Sequence, residues 1–284
     1  MQVSLIQRLD KLEDLPAVPN TLLKVLDTLN DPDVSINTLE KILENDPMLT
    51  ARLLRTANSP YYGFAEKISS ISRAIFVLGL NEVRDLIIGL SISGIFSGDL
   101  GFEEFTSKDI WLHCIAVARA SRYLSGRVDG VDPEEIFTAG LIHDIGRFLF
   151  GIYLKHELRD ILAMKRSMAI PLSNAEERYG LTHMELGTYL AQRWGLSDML
   201  KGVIRYHHSP QGAGQYTVHA SVVFLADQIC QKLKIGWNLD DDEDKKILSP
   251  KALGLDVDFI KGVAQRLKDE RGDMESQWGA IISS

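Results

Sequence analysis

Apolar residues return at every third or fourth position along most of this 284-residue chain, and almost nowhere at every second. That spacing lines one face of an α-helix, whereas strict alternation would line one face of a strand. Leu22, Val25, Leu26 and Leu29 make such a stripe. Ile36, Leu39, Ile42 and Leu43 make the next, which ends where Pro47 follows Asp46. A third helix is expected to run from Pro47 to the Asn58-Ser59-Pro60 turn, and two short ones over 69–95, interrupted near Gly79. Further helices are predicted over 111–124, 133–149, 154–168, 183–194, 198–207, 218–233 and 259–267. The β-branched cluster within 217–229 has the length and flanks of a buried helix. The expected class is all-α.

The polar, glycine-containing stretch 97–109 reads as a boundary, giving an N-terminal helical part over 1–104 and a second helical domain over 105–284. Apolar residues at 45% and charged residues at 25% describe an ordinary globular protein. A formal net charge of -8 offers no general attraction to a phosphate backbone, which disfavours nucleic acid as a partner. No apolar run is long enough to span a bilayer, and Met1 is not followed by a basic-then-apolar leader. The two cysteines, Cys114 and Cys230, form no C-x-x-C pair and fit a reducing compartment, so a cytoplasmic location without membrane attachment is expected. The acidic run 240–244 reads as a solvated loop.

The sharpest local feature is His143-Asp144, set within Ala139-Gly140-Leu141-Ile142 and Ile145-Gly146 on what reads as one apolar helix. Burying that pair is costly unless both groups are paired or metal-bound, so it is either a hydrogen-bonded core feature or part of a metal site. Its company favours the second. His113 lies on the preceding helix, His183 opens a later one, His207-His208 close the next, and Asp227 sits in the apolar Phe224-Leu225-Ala226-Asp227-Gln228. Imidazoles and carboxylates without thiolate suit Fe, Mn, Zn, Ni or Co rather than Ca or Mg. Seven ligands exceed the needs of one ion. With Asp144 bridging, His113, His143 and Asp227 would hold one, and His183, His207 and His208 the other, an arrangement suited to phosphoester chemistry.

The ordered set His113, His143-Asp144, His183, His207-His208 and Asp227 resembles the HD superfamily of metal-dependent phosphohydrolases, particularly its HD-GYP branch, which hydrolyses cyclic dinucleotides. The N-terminal half is more specific. Leu15-Pro16-Ala17-Val18-Pro19, Asn45-Asp46-Pro47-Met48-Leu49-Thr50, Leu53-Leu54-Arg55-Thr56-Ala57-Asn58-Ser59 and Ala74-Ile75-Phe76-Val77-Leu78-Gly79 resemble the HDOD family in sequence and order. That resemblance spans roughly residues 10 to 235. It implies an all-helical signalling protein, with an N-terminal bundle packed on an HD-like bundle. It also implies action through protein partners, because HDOD proteins commonly lack part of the metal site and are regarded as non-catalytic regulators. Here the whole ligand set is retained. Arg147 stands where HD-GYP enzymes have lysine, and Ser209-Pro210-Gln211-Gly212-Ala213-Gly214 lacks the GYP signature.

Two functional expectations follow. The first is a regulator whose metal, expected as two ions with Fe foremost, is structural or sensory. The second is a phosphohydrolase acting on a nucleotide, cyclic dinucleotide or other phosphoester, with Asp144 bridging the ions and Arg147 steadying phosphate. No sensor, receiver or output domain is read in the chain, so a signal is expected to arrive through a separate partner or ligand. Several residues have plainer readings. His156 lies on a charged face, and His219 reads as a hydrogen-bonded helix-start histidine. Asp109 is either a first-turn acid favoured by the helix dipole or, as in some HD-GYP enzymes, a ligand to a third ion. Arg52, Arg55, Arg73 and Arg84 read as a solvated face, with docking of an acidic partner the alternative.

Overall fold

The computed structural model describes residues 17–28, 36–96, 99–237 and 250–282. Leu15, Pro16, Leu29 and the acidic run 240–244 lie outside them. The described residues are helical with no strand, as the three-to-four spacing demands. None of their helices is long and apolar enough to cross a membrane. They fall into two compact units, one drawn from the described residues of 17–96 and 270–282, the other from 99–237 and 250–269.

In the first unit, α1 (Asn20–Asp27), α2 (Ile36–Glu44), α3 (Pro47–Ala57) and α4 (Ile71–Leu78) gather around α5 (Leu80–Ile95). Leu22, Val25, Leu39, Leu43 and Leu53 are buried with Leu86 and Ile87, as their helical stripes require. Asp46 caps α3 by accepting from Leu49 N (3.0 Å) and also takes the Thr21 hydroxyl (3.0 Å), tying α1 to the α3 start. Gly79, at φ +89°, makes the break between α4 and α5 that the sequence placed there. The Asn58 amide bridges Leu54 O and the Ile68 backbone, so the Asn58-Ser59-Pro60 turn is structural. Arg84 is buried and Arg52 donates to Leu90 O and the Ser93 hydroxyl, so these two do not belong to a solvated face. The unit also includes α15 (Arg271–Ile282), which packs on α3 and α5.

The second unit holds α6 (Ser107–Ser125), α7 (Pro133–Ile142), α8 (Ile145–Tyr153), α9 (Lys155–Met168), α10 (Leu172–Tyr179), α11 (His183–Arg193), α12 (Asp198–Tyr206), α13 (Thr217–Leu233) and α14 (Val257–Asp269). The expected single helix over 133–149 is broken at His143-Asp144, where Asp144 leaves helical geometry at φ -98°, ψ 15°. Successive residues of a helix point about 100° apart. The break lets both side chains face one centre.

Candidate metal centre

Two close helix crossings bring the centre together. Gly140 lies against α6, where a Cβ would come within 2.8 Å of Ala118 Cα, so α7 can pack tightly beside His113. Gly146 meets the start of α11, where a Cβ would collide with the His183 carbonyl oxygen and lie 2.7 Å from Gly187 N. Only glycine permits this approach of α8 to α11, and the approach sets Asp144 beside His183. A Thr182–Glu185 capping box fixes the start of α11 and so the position of His183.

With the end of α12, which carries His207 and His208, these helices and the break deliver a continuous cluster of rings. His113 and His143 centroids are 5.5 Å apart, His143 and His207 5.0 Å, His183 and His207 5.2 Å, and His207 and His208 4.3 Å. All seven predicted ligands are brought together. His113, His143 and Asp144 place ligand atoms within 4.8 Å of one another, and so do His183, His207 and His208. Asp227 Oδ1 is 3.0 Å from His113 Nε2, joining the first group. Asp144 lies between the groups. Its Oδ1 is 3.3 Å from His183 Nε2 and 3.7 Å from His207 Nε2, while its Oδ2 is 3.5 Å from His143 Nε2. Of the seven, only His208 is partly exposed.

The surrounding hydrogen bonds settle which nitrogens carry protons. His143 Nδ1 donates to Gly140 O (2.7 Å) and His207 Nδ1 to Ile204 O (3.0 Å), because a carbonyl can only accept. His183 Nδ1 donates to the Glu176 carboxylate at 2.5 Å. Burial, reinforced by His143 and His183, holds His207 well below the usual imidazole range, so it is neutral. Burial likewise lowers His143 against the pull of Asp144 and Asp227. His143 and His207 therefore keep an Nε2 lone pair, and His183 Nε2 lies 3.1 Å from that of His207. Burial opposes ionisation of Asp144, yet Arg147 and then His143, His183 and His207 hold its carboxyl well below the ordinary range. Burial also opposes charge on His113 and Asp227, but each favours the other's charged form, raising His113 and lowering Asp227.

This donor set fits a divalent transition metal. Asp144 Oδ1 and His113 Nδ1 are buried without a hydrogen-bond partner, and a cation among the rings would meet the carboxylate's unpaired oxygen. Imidazoles whose second nitrogen is tied to a carbonyl or carboxylate are the usual supported metal ligands. The thiols of Cys114 and Cys230 are pushed up by burial and stay protonated, so a thiolate ligand is disfavoured.

Three neighbours escaped the sequence reading. Glu176 is buried, takes His183 N (2.9 Å) and Nδ1 on Oε2, and takes Arg147 Nη1 on Oε1 (3.0 Å). It shares the buried face of α10 with Leu172 and Ala175, so a carboxylate at helical spacing from apolar residues was the available signal. Gln231 donates to both oxygens of Asp227 (2.9 and 3.0 Å) from one turn further along α13. Trp237 stacks on Arg147, with 4.0 Å from the guanidinium carbon to the ring centre. The Gly236 turn before it lies so close to the His113 backbone that a Cβ there would come within 2.9 Å of His113 Cα.

Arg147 reaches Asp144 Oδ2 with Nε at 2.9 Å. Asp109 accepts the Thr106 hydroxyl (2.6 Å) in the first turn of α6, as a helix-start acid does. His156 is exposed beside Asp160, and His219 faces the Tyr216 ring, its pKa lowered by burial.

Comparison with known proteins identifies the fold and the family. An HDOD domain protein from Geobacter sulfurreducens superposes with a TM-score of 0.79 at 28% identity, covering 96% of both chains. A structure from Shewanella amazonensis SB2B, described as a candidate phosphohydrolase, gives 0.74 at 27% identity over 98% of each. Among curated proteins, an uncharacterized protein of Treponema pallidum is 24% identical over 226 residues, 77% of this chain and 42% of its own length. Ribonuclease Y of Aquifex aeolicus is 24% identical over 180 residues, 63% of this chain. The chain thus spans less than half of those two relatives, 26% in the case of ribonuclease Y. The sequence pattern of the HDOD domain matches residues 15–210, from the start of the first helical unit through the His207-His208 pair, and the chain belongs to the HDOD family.

Proposed function

We propose that this is a regulatory HDOD protein whose buried centre binds a divalent transition metal and which signals through contacts with partner proteins. His113, His143, Asp144 and Asp227 would hold an ion, and His183, His207 and His208, sharing Asp144, offer the position for a second. The observation that carries the reading is the convergence of the Nε2 atoms of His143, His183 and His207 on a carboxylate 2% exposed to solvent. Such burial favours a structural or sensory ion, because a substrate needs an open coordination position and a cleft.

A second reading rests on Asp144, which offers one oxygen to each ligand group, as carboxylates shared by hydrolytic metal pairs do. When bound, such ions supply Lewis acidity toward a phosphoryl oxygen. For Arg147 to steady a phosphoester or nucleotide it must first leave Asp144, Glu176 and Trp237.

Elemental analysis of protein purified without chelators, beside Asp144→Ala, decides the matter when paired with a bis(p-nitrophenyl) phosphate assay. The proposal expects at least one equivalent of Fe, Mn, Zn or Ni, lost in the variant, without turnover. Metal-dependent turnover abolished by the same substitution would move the protein to the hydrolase reading. Absence of metal above background, before and after reconstitution, would sink the metal centre.

A further inference from the structure

The centre carries a cation of its own. Arg147 is buried on α8, with Nε on Asp144 Oδ2 (2.9 Å), Nη1 on Glu176 Oε1 (3.0 Å) and its guanidinium over Trp237. Its Nη2 lies 3.5 Å from His183 Nε2. A guanidinium cannot shed its proton to make way for an ion. Arg147 therefore occupies Asp144 Oδ2, the oxygen on the His143 side, and also sits beside His183 Nε2, an atom that an ion in the His183 group requires.

Resting on the metal-centre reading above, we infer that Arg147 is a built-in counter-cation that makes the centre a one-ion site, admitting a second ion only when its guanidinium gives way. The two ligand groups are unequal. The His113–His143 group keeps Asp227 as a carboxylate of its own while Arg147 occupies Asp144 Oδ2, whereas His183, His207 and His208 have only the shared Asp144, and Arg147 also crowds His183. Charge points the same way. The carboxylates of Asp144, Asp227 and Glu176 against one guanidinium leave a surplus of two negative charges, which one divalent ion cancels. A second ion would leave the buried centre with two unbalanced positive charges, a costly state in a low-dielectric interior. Without the guanidinium, the same carboxylates come close to balancing two ions.

Calorimetric titration of chelator-stripped, full-length protein with Zn²⁺ tests this. Wild type is expected to take one equivalent, with any second bound at least about tenfold more weakly, the scale of ordinary coupling between sites. Arg147→Met is expected to take two equivalents with affinities within roughly tenfold of each other. Arg147→Lys, which keeps the charge, is expected to follow wild type. Two equal equivalents in wild type, a single one in folded Arg147→Met, or two in Arg147→Lys would each overturn the inference. The wild-type titration decides even if Arg147→Met does not fold. Failure of wild type to bind any Zn²⁺ is a different result, since it overturns the metal centre and this inference together.

Discussion

At the scale of single residues, Glu176 does the most with the least signal. Its two oxygens receive the His183 main-chain N–H, the His183 ring and Arg147, all away from water. Glu176→Gln keeps the shape but puts an amide nitrogen where one of those donors needs an acceptor. Metal affinity is expected to fall about 10- to 100-fold, the usual effect of losing a partner behind a ligand. Denaturant unfolding is expected to show a loss of about 3 kcal/mol, because Arg147 and Asp144 stay buried with less compensation. Unchanged zinc affinity would remove Glu176 from the centre. The seven clustered residues were legible because histidines and aspartates in apolar helices are expensive to bury without a purpose. Glu176 was not, because Glu176-Glu177-Arg178 reads as a charged face, and only its spacing from Leu172 and Ala175 says otherwise.

At the scale of elements, the centre depends on how closely helices approach. Gly146→Ala would force a methyl into the His183 carbonyl and Gly187 N, both backbone atoms that cannot rotate aside. A loss of about 3 kcal/mol or more, with metal binding lost too, is expected from melting and metal analysis. Gly262 in α14 makes the opposite case, since a Cβ there meets nothing within 4 Å. Gly262→Ala is expected to stabilise by about 0.5–1 kcal/mol through helix propensity alone. Helix positions were readable from apolar stripes, as in α1, α2, α11 and α13. The break at His143-Asp144 was not, because it arises from tertiary packing and interrupts an unbroken apolar run. The α10 and α15 helices also went unread: α10 is short and mostly polar, and α15 carries little apolar periodicity.

At the scale of the whole molecule, the chain leaves its first unit, builds the metal centre, and returns with α15 to pack on α3 and α5. Met274 on that helix is buried completely. Ending the chain after Asp269 is expected to cost the first unit about 2 kcal/mol, the value of one buried side chain of that size. The metal content should be unchanged, because every ligand lies in the other unit. Calorimetry with elemental analysis separates these effects, and metal loss on truncation would contradict the assignment. The return of the chain to its starting unit left no mark in the sequence, since no local pattern names a distant partner.

Burial of the ligands also has a consequence in time. With six of the seven sealed from solvent, an ion can depart only when packed helices part, so its exchange is limited by opening of the protein rather than by ligand chemistry. A chelator chase of ⁶⁵Zn-loaded protein is expected to follow the rate of local unfolding and to ignore chelator concentration; loss proportional to chelator would show an open route. An ion captured as the chain folds would stay for much of the molecule's life, leaving each copy a record of the metal supply when it was made.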